Sequence, residues 1–364
     1  MRGIAAPSGR LVSPPGAWRC IVLLALWCTA CLRTASDDVT ASPKDTLVIT
    51  GDTLYAAADL AIPTDIALVG RHVVVLDIGG DSAVRVLRSA DGGVVRTFGK
   101  RGKGPGEFRE PWSLDALGGV SDVFWVYDMD LARLTRIDLA GPFDASGRNR
   151  WPVVLLQTAG HFNSPQWISD DRILSPGVFT HASRLAELDE RGRLLRFIGS
   201  LPPGEAATPM MVRQHAYIGK ASFNRERGLL ALGSDHADRI EIYKPDGTLL
   251  HAWHGPANFE PSYRVAWVGG TPVFDGTDEL RFGYVDITTT RDGIFALFSG
   301  RTRKEFGRVS GFGEEVHVYT WSGRLEKVIR LDSAPISIAI SSDGHALYAS
   351  VIEPTPTILR YRLP

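Results

Sequence analysis

Short runs in which apolar and polar residues alternate recur along the chain, and each leads towards a turn. Six of them stand at residues 84–87, 134–137, 185–188, 240–243, 316–319 and 358–361. Alternation with a period of two marks a strand with one face in a core. Five of the six meet a glycine turn, at Asp91-Gly92, Ala140-Gly141, Arg191-Gly192, Asp246-Gly247 and Ser322-Gly323. A second strand-like run follows four of those turns, at 94–98, 194–198, 249–253 and 325–329. The repeated unit is a hairpin at intervals of roughly 50 residues, the spacing of propeller blades.

Upstream of each hairpin lies a further apolar run, at 73–77, 123–128, 172–174, 229–232, 294–298 and 346–349. Several are apolar throughout, as a strand covered on both faces requires. Ahead of these, four innermost strands open with proline, at Pro63, Pro111, Pro165 and Pro335. Proline is tolerated there because a first strand residue loses no ladder hydrogen bond. The sixth hairpin ends at the last residue, Pro364, without a partner, and the run 46–50 belongs to no blade. Pairing of 46–50 with 358–362 would close the ring and hide two edges. The reading is all-β, a six-bladed propeller over 45–364 closed by its N-terminal strand, with little helix. The closed ring predicts a monomer, and the interval 256–282, which contains Trp267-Val268-Gly269-Gly270, reads as an insertion on one face.

The first residues have another character. Arg2, Arg10 and Arg19 precede the apolar segment 21–27, and no acidic residue occurs before Asp37. That is a signal peptide over 1–31, with an apolar stretch too short to span a bilayer. Cys28-Thr29-Ala30-Cys31 resembles a bacterial lipobox, which implies lipidation of Cys31, although Cys28 stands where leucine is usual. A cleaved secretory peptide is the alternative, and residues 32–44 read as a polar tether. The expected location is the cell envelope, lipid-anchored at the outer membrane or facing the periplasm, or otherwise soluble or secreted. All three cysteines fall in the leader, so the propeller has no disulfide and no thiolate metal site. Without the three leader arginines, 37 basic residues face 41 acidic ones, a net charge of −4 that offers no basis for nucleic-acid binding.

The segment 98–108, Phe-Gly-Lys-Arg-Gly-Lys-Gly-Pro-Gly-Glu-Phe, followed by Pro111, resembles the blade junction of NHL-type and TolB-like six-bladed propellers of bacterial envelopes. Faded copies lie at 197–205 and 254–261. The resemblance spans residues 46–364 and implies an envelope protein acting as a binding scaffold. The same loop lacks the Gly-Lys-Ser/Thr ending of a phosphate-binding loop. It reads as a structural turn, with an anion-binding rim of Lys100, Arg101 and Lys103 as the alternative.

Propellers of this kind that act as lactonases or lyases hold a divalent cation or a histidine at the channel mouth. The inner-strand carboxylates Asp65, Asp115 and Asp286 could converge there as hard ligands for calcium or magnesium. No histidine has a nucleophile beside it, and His251 and His254 fall on opposite faces of a strand. Trp112, Trp167 and Trp253 stand where packing between blades is expected. The sequence therefore favours a non-catalytic, cofactor-free module that binds a protein, peptide or glycan partner in the envelope. The competing reading is a metal-dependent hydrolase or lyase using the three aspartates.

Overall fold

The computed structural model of the chain describes residues 46–364 apart from 120, 144–150, 158–159, 203 and 206. The leader, Cys31 and the tether 32–44 lie outside the described residues.

Six antiparallel sheets follow one another along the chain, each with its first strand innermost. Blade one comprises Pro63–Val69, His72–Asp77, Val84–Arg88 and Val94–Phe98. Blades two to five begin at Pro111–Asp115, Gln166–Ser169, Ala221–Asn224 and Tyr284–Thr289. Blade six holds Ser337–Ile340, Ala346–Val351 and Thr357–Arg362. Every alternating run read from the sequence lies in a third or fourth strand. Blade two takes its fourth strand from Val153–Leu155.

The N-terminal segment closes the ring, and it does so with two strands. Asp52–Tyr55 pairs antiparallel with the last strand, Asp52 opposite Arg360 and Thr53 opposite Leu359. Thr46–Ile49 instead lies parallel to Leu325–Leu331 at the outer edge of blade five. The expected partner of 358–362 is thus displaced from 46–50 to 52–55. The reason is contact with both neighbours: Leu54 and Tyr55 pack into the core between blades six and one. Leu54 also presents its carbonyl to Gly92 of blade one, where any Cβ would sit 1.8 Å from that oxygen and φ is +72°. Asp332 marks the crossing, its carboxylate accepting from Gly51 N–H at 3.2 Å.

No single central core exists. Among the described residues the apolar side chains form seven clusters, six of them at the junctions between neighbouring blades and a small one under the insertion hairpin. The junction of blades three and four is lean, with six fully buried members, and carries a buried ion pair in addition. Arg184, 1% exposed, donates from Nε to Glu241 Oε2 at 2.7 Å, and Arg239 donates to the other carboxylate oxygen at 3.1 Å. Trp167 and Trp253 pack between blades as expected, against Trp125 (centroids 4.8 Å apart) and Tyr319 (5.5 Å).

Strand direction sorts the connections onto two faces. Tight turns close one face, with the exception of 116–122 and 139–152. The other face, where every inner strand begins, carries the long connections 99–110, 199–220, 255–283 and 299–314. The insertion there is a hairpin of Tyr263–Val268 and Thr271–Gly276 turning on Gly269 and Gly270, both at positive φ. Its base packs on the short helix Met210–Ala216. Its tip exposes Trp267 (65%) and Val268 (66%).

Candidate functional site

Inner strands that converge on an axis bring their inward side chains together, and here those side chains join each blade to the next. Asp65 Oδ2 accepts from Leu114 N–H at 2.7 Å, and Asp115 Oδ2 from Trp167 N–H at 2.7 Å. Gln166 Oε1 accepts from Phe223 N–H at 3.3 Å, and the Ser222 hydroxyl meets that of Thr289 at 3.1 Å. Asp286 Oδ2 accepts from Ile338 N–H at 2.7 Å, and Ser337 Oγ from Ile66 N–H at 3.3 Å. Six latches thus run around the channel in one direction, one across each junction. Five of them satisfy a backbone donor that the innermost strand edge would otherwise leave unpaired, and the sixth, Ser222 to Thr289, joins two hydroxyls.

Two of the three aspartates meet at a cation supplied by the chain itself. Lys220, just ahead of the blade-four inner strand, places Nζ 2.8 Å from Asp65 Oδ1 and 3.7 Å from Asp286 Oδ1. Ser337 Oγ lies between the same carboxylates, 2.9 Å from Asp65 Oδ1 and 2.6 Å from Asp286 Oδ2. Burial works against the ammonium, but Asp286 and Asp65 outweigh it and hold its pKa above the usual lysine range. Burial, together with the charge of Asp65, raises the Asp286 pKa, and Lys220 opposes that rise. Asp115 stands apart, engaged by Trp167 and by Leu117 N–H at 2.9 Å; burial raises its pKa despite these donors. Among the described residues no group of three or more His, Cys, Asp or Glu side chains is arranged to hold a metal ion.

Lys220 divides the channel. Towards the tight-turn face opens a vestibule of about 360 Å³ whose wall includes Asp115, Arg225 and Arg291. Towards the loop face lies a chamber of about 150 Å³, lined by Thr64, Trp112, Asn163, Lys220, Asp235, Phe282, Val285, Gly311 and Ile336. Asn163 is held by the Trp112 indole N–H at 3.2 Å and itself donates to Gly219 O at 2.8 Å. Burial pushes the Asp235 carboxyl up to about 8, with Lys220 pulling down, Asp286 pushing up and Arg184 pulling down. Asp235 Oδ1 and Thr64 Oγ1 are sealed from solvent without a hydrogen-bond partner.

Of the residues singled out by sequence, Lys100, Arg101 and Lys103 are exposed on the junction loop. That loop is bound down by Arg133, whose guanidinium donates to the Glu107 and Lys103 carbonyls, and by the buried Phe108. Beside the hairpin, Phe274 stacks on His215 (4.9 Å) and on His236 (5.2 Å), and burial lowers the pKa of both histidines, His236 to about 4. Lys220, Asp235 and Thr64 had no signal of their own in the sequence. Lys220 and Asp235 lie in connections, where a lone charge reads as solvated.

A family model described as TolB-like 6-blade propeller-like matches residues 39–343. No curated protein matches the chain. Among solved structures, the β-propeller domain of Cps50 (Swd1) from Myceliophteria thermophila is similar, with a TM-score of 0.48 and 10% identity. That match covers 86% of this chain and 100% of the other.

Proposed function

The chain belongs to the TolB-like six-bladed propeller family, and from that premise we propose that it is an envelope-anchored, non-catalytic module that binds a protein or peptide partner on its loop face. The observation that carries this reading is the asymmetry of the ring: one face gathers the long connections, an exposed Trp267-Val268 tip and an open chamber. Exposed aromatic residues beside a concavity are the usual anchors of protein interfaces. The channel aspartates act in this reading as latches and as counter-ions of Lys220, and Ca²⁺ or Mg²⁺ has no role. Thr46–Ile49 runs parallel to Leu325–Leu331, from the turn face to the loop face, so the described chain enters the ring on its turn face. No helix among the described residues is long and apolar enough to cross a membrane.

Site-specific photo-crosslinking in the parent cell tests this. A crosslinker at Trp267 on the loop face is expected to yield a discrete protein adduct, and one at Ser342 on the turn face none. Adducts from Ser342 alone, or equally from both, would overturn the assignment of the face.

A further inference from the structure

The loop-face chamber has a chemistry that the ring itself does not use. The charge of Lys220 is met by Asp65 and Asp286 on the vestibule side of the waist, so the chamber offers an incoming group no surplus positive charge. Asp235 supplies its acidic group. Around it face Lys220, Asp286 and Arg184, and the last is already paired with Glu241. The Asp235 backbone is fixed at both ends, its N–H donating to Ile218 O at 2.8 Å and its carbonyl accepting from Gly283 N–H at 2.7 Å. Its carboxyl has an orphaned oxygen in a wall that also contains the orphaned Thr64 hydroxyl. A buried acceptor without a donor is costly, and such groups are normally satisfied by protein, water or ligand. Rotation about the last torsion of an aspartate is soft, so either oxygen can be turned to the chamber.

Apart from Asn163, whose amide is engaged by Trp112 and by Gly219 O, the rest of the wall is apolar or aromatic. Trp112, Phe282, Val285 and Ile336 surround a space of about 150 Å³, roughly what one benzene-sized group fills. An aromatic wall favours a cation through its ring faces as well as an alkyl stem through contact. The chamber opens on the face that carries the Trp267 hairpin and the long connections, where a macromolecule would approach.

We propose that this chamber receives a primary ammonium on a short alkyl stem, the side chain of a lysine from a protein partner, with Asp235 as its counter-ion and Trp112 and Phe282 along its stem. The proposal rests on the loop-face reading and gives that face its recognition chemistry. In the empty chamber Asp235 holds its proton at neutral pH. An arriving ammonium favours the carboxylate, so binding releases one proton to solvent and the ammonium keeps its own three.

Calorimetric titration of the full chain with n-butylammonium, and with n-butanol as its neutral counterpart, tests this directly. The amine is expected to bind saturably, and the alcohol at least tenfold more weakly. Amine affinity is expected to rise from pH 6 to pH 8.5, because Asp235 must lose its proton while the amine stays charged throughout. Asp235→Asn is expected to weaken amine binding at least tenfold without lowering the unfolding midpoint. Two blocked tripeptides separate the sources of the ammonium. Acetyl-Gly-Lys-Gly-amide should bind, and Gly-Gly-Gly-amide, with only its terminal amine, should not. Equal binding of alcohol and amine, no saturable binding of either, preference for the free N-terminus, or unchanged affinity in Asp235→Asn would each overturn the proposal. The amine-against-alcohol comparison needs no variant, so a misfolded mutant cannot shield it. Crosslinking from Trp267 can succeed when these titrations fail, so failure of the chamber chemistry is distinguishable from failure of the face.

Discussion

Lys220 shows how one side chain can decide what two carboxylates do. Two buried carboxylates facing one another would repel and lose solvation, and an ammonium between them offsets both effects. Removing it should be severe: Lys220→Met is expected to lower stability by about 3–5 kcal/mol at pH 7, the range for a buried pair deprived of one partner. The pH dependence has a definite sign. Burial already raises the Asp286 pKa and Lys220 opposes that rise, so without Lys220 the folded pKa of Asp286 would lie further above its unfolded value. The stability that Asp286 allows would then be complete below the unfolded value, about 4, and would fall as pH rises through the folded value. Denaturant unfolding of both proteins from pH 4 to pH 8 should therefore show a deficit that shrinks towards acid. A deficit independent of pH would remove Lys220 from this role. The place of the three aspartates on inner strands was legible in the sequence, and their direction was left open. Their use was not legible, because the latch donors are backbone N–H groups about 50 residues away and Lys220 precedes its strand in a connection without periodicity.

The blade is the unit in which the sequence could be read. Third strands alternate in polarity yet bury their polar positions too, Arg85, Thr135, Glu187, Glu241 and His317 all lying in the interior, and second strands are largely apolar because both faces are packed. Junctions were harder to read, since they join residues of different blades. That between blades three and four combines a lean apolar cluster with Arg184 and Glu241. Glu241→Met should cost about 3–5 kcal/mol by leaving Arg184 charged without its carboxylate in the interior, whereas adding Arg184→Met to Glu241→Met should restore most of that loss. A double-mutant cycle by chemical denaturation checks this, and additive effects would show that the pair is not coupled. The insertion hairpin had a sequence signal that was readable but weak. Gly269-Gly270 between two runs that each hold valine and aromatic residues marks a two-residue turn with both φ angles positive. Closure was legible as a need, an unpaired last hairpin and a strand to spare. The choice of 52–55 over the more apolar 46–50 was decided by contacts with blades one and six that local alternation does not encode.

At the scale of the whole ring, the channel is a latch ring divided by an ammonium, with a polar vestibule on the turn face and a small acidic, aromatic chamber on the loop face. This division underlies the proposal of a binding module over a metal enzyme, since Asp65 and Asp286 would have to release Lys220, and all three aspartates their backbone donors, to coordinate a cation. Thermal unfolding of the full chain in EDTA and in millimolar Ca²⁺ or Mg²⁺ tests that claim most directly. A cation at a hundred times its dissociation constant would add about 2.7 kcal/mol of stability and visibly raise the midpoint. The account predicts coincident midpoints in all three conditions. A saturable rise with either cation, lost in Asp286→Asn, would contradict it and return the channel carboxylates to a metal site.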